Sequence, residues 1–281
     1  NLGNTVDPTD QDATLGTDLS TDLKVTFDNG VTWSPVVGGQ VEVPAGVTTF
    51  YVAVATTADE PNPVYEGPEK FTLTAGTVRG TDVGVGTFVD DGTSVPPPVT
   101  PPTTPPTPPV DDRPTVTDVS DPRETEGNNL DFVVTLSNKS EFPTTVTLNL
   151  GNTADPTDRD ATLGTDTGTP VEVSFDGVNF VPVTIGADGS FSVNVPANAT
   201  TFTVRVPTID DSELESTETI QLTAGTAQNA TPVTGIGTIL DNDIADGNES
   251  VTTLEDTDLL GGNLLTNSQT SVSSAHVVSF T

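Results

Sequence analysis

The stretch TTFTVRV, residues 200–206, determines the fold class, because polar and apolar side chains alternate along residues 201–206. Phe202, Val204 and Val206 fall on one face of an extended segment, and the residues between them fall on the other. A period of two is typical of an antiparallel β-strand with one buried face and one solvated face. The stretch is therefore predicted to be a strand of a half-buried sheet.

The same alternation recurs upstream, at residues 171–175 and 191–195, and turn signals such as Asp-Gly separate the runs. No segment of useful length shows an apolar period of 3.6, so helices are not predicted. About seven short strands are expected between Pro114 and Asp243. This spacing predicts an all-β fold of immunoglobulin-like antiparallel β-sandwiches.

The chain contains two copies of one unit. NLGNTVDPTDQDATLGTD at residues 1–18 recurs as NLGNTADPTDRDATLGTD at residues 149–166. Four more pairs follow in the same order, namely residues 25–36 with 173–183, 43–54 with 195–206, 68–77 with 217–226, and 84–92 with 235–243. Residues 114–148 precede the second copy and have no counterpart before the first, so we expect the first copy to lack its opening strands.

These repeats predict four regions. Residues 1–92 form a repeat without its first strands, 93–113 a Pro-rich linker, 114–243 a complete repeat, and 244–281 the incomplete start of a further module. The linker contains SVPPPVTPPTTPPTPPV, and proline at this density favours the extended polyproline II conformation. We interpret it as a spacer, the alternative being a docking site for a proline-recognition domain.

The charge of the chain limits its partners. Eight Lys and Arg stand against 41 Asp and Glu, which gives a formal net charge of −33. Nucleic acids and anionic membrane surfaces repel such a polyanion, whereas inorganic cations are attracted to it. There is no Cys, which excludes disulfides and thiolate metal sites, and no apolar run long enough to span a membrane.

Acidic residues concentrate where the strands are predicted to end. IDDSELESTE at residues 209–218 carries five carboxylates and no Lys or Arg. Further acids lie in DND at 241–243, in ETEGN around Glu126 and in ATLGTD at Asp166. Neighbouring carboxylates repel one another unless a cation lies among them or the segment stays solvated. Loops at one pole of a sandwich meet in space, and Ca²⁺ takes 6–8 oxygen ligands.

These motifs together resemble the Calx-beta domain family. The similarity covers residues 114–243 and rests on EGN, ATLGTD, VPTIDDSELESTETIQL and GTILDND in that order. It implies a sandwich that binds Ca²⁺ at one pole. The family's aromatic after the loop aspartate is Thr167 here. The implied ligands in this chain are Glu126, Asp166, Asp210, Asp211, Glu215, Glu218, Asp241 and Asp243.

The first copy keeps only part of this set. It retains Asp18, Asp59, Glu66, Glu69, Asp90 and Asp91. Ala58 stands where the second copy has Asp210, and Gly92 where it has Asp243, so we expect a weaker site or none. The DPTDRD segment at residues 155–160 is interpreted as a solvated loop, with a further cation site as the alternative.

The tail at residues 249–267 resembles the opening of cadherin-like modules found in large bacterial adhesins. The mixture of modules is similar in architecture to an RTX-type surface adhesin. We therefore expect a calcium-binding extender repeat at the bacterial cell surface, in which Ca²⁺ stiffens loops and interdomain joints and the partners are calcium and neighbouring repeats. The alternatives are a sugar- or protein-binding module and an enzyme. We expect no enzyme, because the single histidine, His276, is a poor candidate for a catalyst.

Overall fold

The computed structural model describes residues 1–7, 11–57, 62–92, 110–153, 159–245 and 269–270. The chain divides into two compact units. Unit 1 comprises Asn1–Pro114 with Asn138–Pro143, and unit 2 comprises Thr115–Ser137 with Thr144–Thr281. Most of the predicted linker and of the predicted third module lies outside the described residues. None of the described segments forms a helix long and apolar enough to cross a membrane.

The described secondary structure consists of short strands. In chain order they are β1 (Leu2–Gly3), β2 (Gln11–Asp12), β3 (Lys24–Thr26), β4 (Ser34–Pro35), β5 (Tyr51–Ala53), β6 (Val64–Tyr65), β7 (Glu69–Thr77), β8 (Gly80–Phe88), β9 (Val116–Val119), β10 (Arg123–Thr125), β11 (Asn129–Leu136), β12 (Lys139–Ser140), β13 (Thr144–Gly151), β14 (Glu172–Ser174), β15 (Val181–Pro182), β16 (Ser190–Val195), β17 (Thr201–Pro207), β18 (Glu218–Gly225), β19 (Val233–Leu240), β20 (Ile244–Ala245) and β21 (Gln269–Thr270).

Unit 2 is a sandwich of two five-stranded sheets. One has the order β10-β19-β18-β13-β16 and the other the order β15-β14-β17-β11-β9. All pairs are antiparallel except β10 with β19, which is parallel. The predicted all-β sandwich is therefore confirmed. The expected number of about seven strands was wrong, because strands as short as β10 and β15 are too brief to show an alternating pattern.

The core of unit 2 follows the alternation that predicted the strands. Along β11, Leu130, Phe132 and Val134 are fully buried, while the residues between them are at least partly exposed. Phe132 lies opposite Val204 of β17 in the ladder. Burying one such side chain stabilises the fold by about 1.5–3 kcal/mol. A Cβ on Gly237 would lie 2.7 Å from the Phe132 ring, so β19 needs glycine there to approach β11.

Unit 1 repeats part of this arrangement. β7 pairs antiparallel with β8 and β1 and parallel with β2. A three-stranded sheet has the order β4-β3-β5, and β12 pairs with β6. Phe71 and Leu73 of β7 are half-buried, whereas the matching Ile220 and Leu222 of β18 are fully buried. The difference arises because no described strand of unit 1 corresponds to β11.

Candidate metal centres

Among the residues that the structure describes, three groups of carboxylates could each hold a cation. Within each group, one oxygen from every residue lies within 4.8 Å of the others. We name each group after its buried glutamate. The Glu218 cluster is Asp166, Glu215 and Glu218; the Glu126 cluster is Glu126, Asp241 and Asp243; and the Glu69 cluster, in unit 1, is Asp18, Glu66 and Glu69.

The Glu218 cluster forms where a loop meets the start of β18. Glu218 is the first residue of that strand and is 5% exposed. Asp166 closes a tight turn, in which its Oδ2 accepts a hydrogen bond from the Thr162 N–H. Arg159 also contacts the cluster, since its Nε donates to Glu218 Oε1 at 3.2 Å. One guanidinium therefore accompanies three carboxylates.

The Glu126 cluster forms at the ends of two paired strands. Glu126 follows β10 and its N–H donates to the Leu240 carbonyl at the end of β19. Asn242 connects acids from separate loops: its Nδ2 donates to Glu126 Oε1 at 3.1 Å and to Asp210 Oδ1 at 3.0 Å. Sequence reasoning missed Asn242, although it lies inside the acidic DND motif, because an uncharged amide gave no signal there.

The two clusters of unit 2 are adjacent. Asp241 belongs to the Glu126 cluster, yet its Oδ2 accepts a hydrogen bond from the Glu215 N–H. Its other oxygen accepts from the Asp243 N–H at 2.7 Å. Asp241 is 5% exposed. One buried aspartate thus fixes the backbone of both neighbouring loops, which agrees with the acidic loops meeting at one end of the sandwich.

Unit 1 reproduces this geometry with its own residues. The Thr14 N–H donates to Asp18 Oδ2 at 2.6 Å, as Thr162 does to Asp166. The Glu66 N–H donates to Asp90 Oδ2 at 2.7 Å, as Glu215 does to Asp241. The sequence repeat is therefore a repeat of loop geometry as well. The expected weakness of the unit 1 site concerns affinity and stays a prediction.

Unit 1 buries acidic groups close to one another. Glu69 is 4% exposed and lies in one carboxylate group with Asp18 and Glu66. Asp90 Oδ1 is buried and has no hydrogen-bond partner among the described residues, although buried polar atoms normally have one. A buried carboxylate oxygen without a donor or a cation is costly, so Asp90 Oδ1 is suited to an ion ligand.

The electrostatics of the clusters favour either protons or a cation. Burial, with a further contribution from the Asp18 and Glu66 charges, raises the pKa of Glu69 to about 8. Burial likewise raises the pKa of Glu218 and of Glu126 to about 7, and neighbouring carboxylates add to both effects. Groups that hold protons this tightly at neutral pH would release them to a divalent ion at the same position.

The remaining predicted ligands belong to none of the three clusters. Asp210 is exposed and reaches the Glu126 cluster through Asn242, and Asp211 is exposed with its Oδ1 accepting from the Glu213 N–H. Asp91 forms a backbone bridge with Asp111 and belongs to no cluster.

Two sequence predictions about acidic residues remain. Asp59 lies outside the described residues, as do Asp155 and Asp158. Asp160 is described, and it accepts a hydrogen bond from the Thr153 N–H at 2.9 Å, which indicates a loop-stabilising role.

The donors fit a hard cation. Each cluster presents carboxylate oxygens and contains neither imidazole nor thiolate. Oxygen-only sets suit Ca²⁺ and Mg²⁺, and a cluster of several carboxylates suits the larger and more flexible calcium shell. The geometry can therefore hold calcium at the ends of the strands.

Comparison with known proteins found structural neighbours alone: no family model matches the chain, and no curated protein matches it. A crystal structure of the apo-form Calx CBD1 domain is 17% identical with a TM-score of 0.28, and the match covers 41% of this chain and 84% of that one. A crystal structure of CBD12 from CALX1.2 is 16% identical with a TM-score of 0.32, and the match covers 46% of this chain and 47% of that one. This chain thus spans about half the length of that neighbour.

A third neighbour is the sixth cohesin from Acetivibrio cellulolyticus scaffoldin B, solved in complex with a mutant Cel5 dockerin. It is 14% identical with a TM-score of 0.19, and the match covers 43% of this chain and 94% of that one. Overlaps as small as these carry no argument. The fold and the sites follow from the strand pairing and the carboxylate geometry of the chain itself.

Proposed function

We propose that the chain is a calcium-binding β-sandwich protein whose ions bind at the acidic clusters between strands. The observation that carries the proposal is the burial of like charges together. Glu69, Glu126 and Glu218 are each at most 6% exposed, and each lies within a group of further carboxylates. Such groups are costly to bury unless a cation neutralises them. The resemblance of the sequence motifs to those of Calx-beta domains supports the same assignment.

The ion would complete loops that are already partly ordered. The backbone hydrogen bonds to Asp18, Asp90, Asp166 and Asp241 fix these side chains before any ion arrives. Preorganised ligands lose less conformational entropy on binding. Calcium would add the missing positive charge and hold the loops to the strand ends, which stabilises the native state by mass action.

The wider role proposed is that of an extender in a bacterial surface adhesin. The internal repeat, the Pro-rich segment and the net charge of −33 support it. Extracellular modules tune calcium dissociation constants to about 10⁻⁴–10⁻³ M, so such sites would be filled outside the cell. Stiffening of the joints to neighbouring repeats belongs to this proposal. No catalytic role is proposed, and a sugar- or protein-binding module is the alternative.

The test is a comparison of thermal unfolding of the whole chain in chelator and in millimolar CaCl₂, with calorimetric titration of Ca²⁺. Binding to the native state alone stabilises it by about 2.7 kcal/mol at a hundredfold excess over Kd. Glu126→Gln and Glu218→Gln should each reduce the stabilisation that Ca²⁺ gives to the native state. Equal midpoints in the two solutions, together with no binding heat, would refute the proposal. Equal stabilisation by MgCl₂ would indicate charge screening in place of a calcium site.

A further inference from the structure

The two repeats place different residues beside the same glutamate. In unit 1, β2 runs parallel to β7 and pairs Gln11 with Glu69. In unit 2, Asp160 pairs with Thr219 in the same parallel sense, and the Thr219 N–H donates to the Arg159 carbonyl at 2.8 Å. Arg159 therefore lies beside Glu218, as Gln11 lies beside Glu69.

The difference between Gln11 and Arg159 changes what the neighbouring buried glutamate contacts. Arg159 Nε donates to Glu218 Oε1 at 3.2 Å, and the two side chains are 56% and 6% exposed. Gln11 carries no charge and turns instead to Glu141, where its Nε2 donates to Oε2 at 2.8 Å. The guanidinium is thus a cation inside the Glu218 cluster, whereas the matching position in unit 1 supplies none.

The Glu69 cluster shows independent signs of a missing cation. Glu69 is 4% exposed and lies in one group with the carboxylates of Asp18 and Glu66. Asp90 Oδ1, close enough for its charge to act on Glu69, is buried without a hydrogen-bond partner among the described residues. The charges that act most strongly on Glu69 are negative, namely those of Asp18, Glu66, Asp90 and Glu141.

We propose that the residue at the matching positions, Gln11 in unit 1 and Arg159 in unit 2, sets the calcium affinity of the adjacent cluster. This inference rests on the proposed calcium function. Arg159 occupies Glu218 and repels an incoming divalent ion, so it weakens the Glu218 cluster. Gln11 leaves the Glu69 cluster uncompensated, so that cluster binds calcium more tightly than its counterpart. This order is the reverse of the expectation from the shorter ligand set of unit 1.

The expected size of the effect follows from the exposure of Arg159. A charge-assisted hydrogen bond to a buried carboxylate corresponds to about tenfold or more in an equilibrium constant, and solvent screening reduces it for a half-exposed partner. We therefore expect Arg159→Gln to tighten binding at the Glu218 cluster by about three- to tenfold. Gln11→Arg should weaken the Glu69 cluster by a similar factor.

The two clusters can be read separately in the whole chain. The one Trp and both Tyr, Trp33, Tyr51 and Tyr65, lie in unit 1. Intrinsic fluorescence during Ca²⁺ titration therefore reports on the Glu69 cluster. The Glu218 cluster is followed by calorimetry in a background carrying Glu69→Gln and Glu126→Gln, and circular dichroism in chelator confirms that each variant is folded.

Two controls separate the proposed role from a general effect of charge. Arg159→Lys retains the positive charge and should keep the weak affinity. Arg205→Gln removes one positive charge from an ion pair with Asp131, which belongs to none of the clusters, and should change neither affinity. If Arg205→Gln shifts the affinity as much as Arg159→Gln, the effect is one of net charge and the inference is wrong.

The outcomes distinguish this inference from the proposed function. If the unaltered chain binds no Ca²⁺ in either readout, the calcium function itself fails. If it binds Ca²⁺ while Arg159→Gln and Gln11→Arg leave both affinities unchanged, only the inference is overturned. A tighter Glu218 cluster in Arg159→Gln and a weaker Glu69 cluster in Gln11→Arg would support it.

Discussion

Replacing Glu69 with Gln should change the stability of unit 1 in opposite directions with and without calcium. Burial and the neighbouring acids raise the pKa of Glu69 from 4.5 to about 8. At pH 7 the side chain is then protonated in the native state and ionised in the unfolded chain. Unfolding releases a proton, so the native state loses stability as pH rises above 4.5, until the loss levels off above about 8.

The size of this effect follows from the same values. Each pH unit between 4.5 and 7 lowers the free energy of unfolding by about 1.4 kcal/mol, which gives an upper value of about 3.5 kcal/mol at pH 7. Gln resembles the protonated glutamate in size and polarity but does not ionise in the unfolded chain. In chelator, Glu69→Gln should therefore stabilise unit 1 by about 1–3 kcal/mol once solvent screening is allowed for. In calcium the same substitution should destabilise unit 1, because the ion loses a carboxylate ligand.

The assay is urea unfolding followed by Trp33 fluorescence at pH 7, in chelator and in millimolar CaCl₂. Glu42→Gln, a neutralisation of an exposed acid in the same unit, is the matched control and should change stability little under either condition. A Glu69→Gln variant that is destabilised equally in chelator and in calcium would refute the reasoning, because the carboxylate would then act as an ordinary packing group.

Three further predictions concern unit 2. The pKa values of Glu126 and Glu218 are raised to about 7, so in chelator the free energy of unfolding should fall as pH rises from 4.5 to 7. In calcium most of this pH dependence should disappear. Urea unfolding followed by circular dichroism measures it, and a free energy of unfolding that rises with pH in chelator would contradict the prediction. Asn242→Ala removes donors to Glu126 and Asp210 and should lower stability by about 1–2 kcal/mol, an effect that a thermal melt showing no change would disprove. Gly237→Ala should lower the free energy of unfolding by about 1–3 kcal/mol, because the new Cβ overlaps the Phe132 ring. The control Gly84→Ala, which has nothing within 4 Å of the new Cβ, should lower it by less than about 1 kcal/mol. Equal denaturation midpoints for the two variants would contradict the packing argument.

The alternating pattern was sufficient to predict the sandwich. Residues 201–206 lie in β17 as expected, with Phe202, Val204 and Val206 buried. Side-chain direction in a strand depends only on local backbone geometry, which is why a short sequence reveals it. The acidic loops were found in the same way, because carboxylates just beyond a strand lie at the end of the sheet whatever its partners are.

The grouping of those acids depended on contacts between distant parts of the chain. Glu126 meets Asp241 because β10 pairs in parallel with β19, and Arg159 reaches Glu218 through another parallel contact. Strand register is set by which apolar faces pack together, and one sequence does not state it.

Burial was equally a tertiary property. Phe71 and Ile220 occupy matching places in the repeat, yet Ile220 is fully buried and Phe71 is only half-buried. Sequence by itself determined the all-β class, the longer alternating strands, the repeat and the acidic residues, since these depend on local geometry and composition. The tertiary structure alone decided which acids face one another, which are buried, and which one has a cation beside it, because these depend on distances across the sheets.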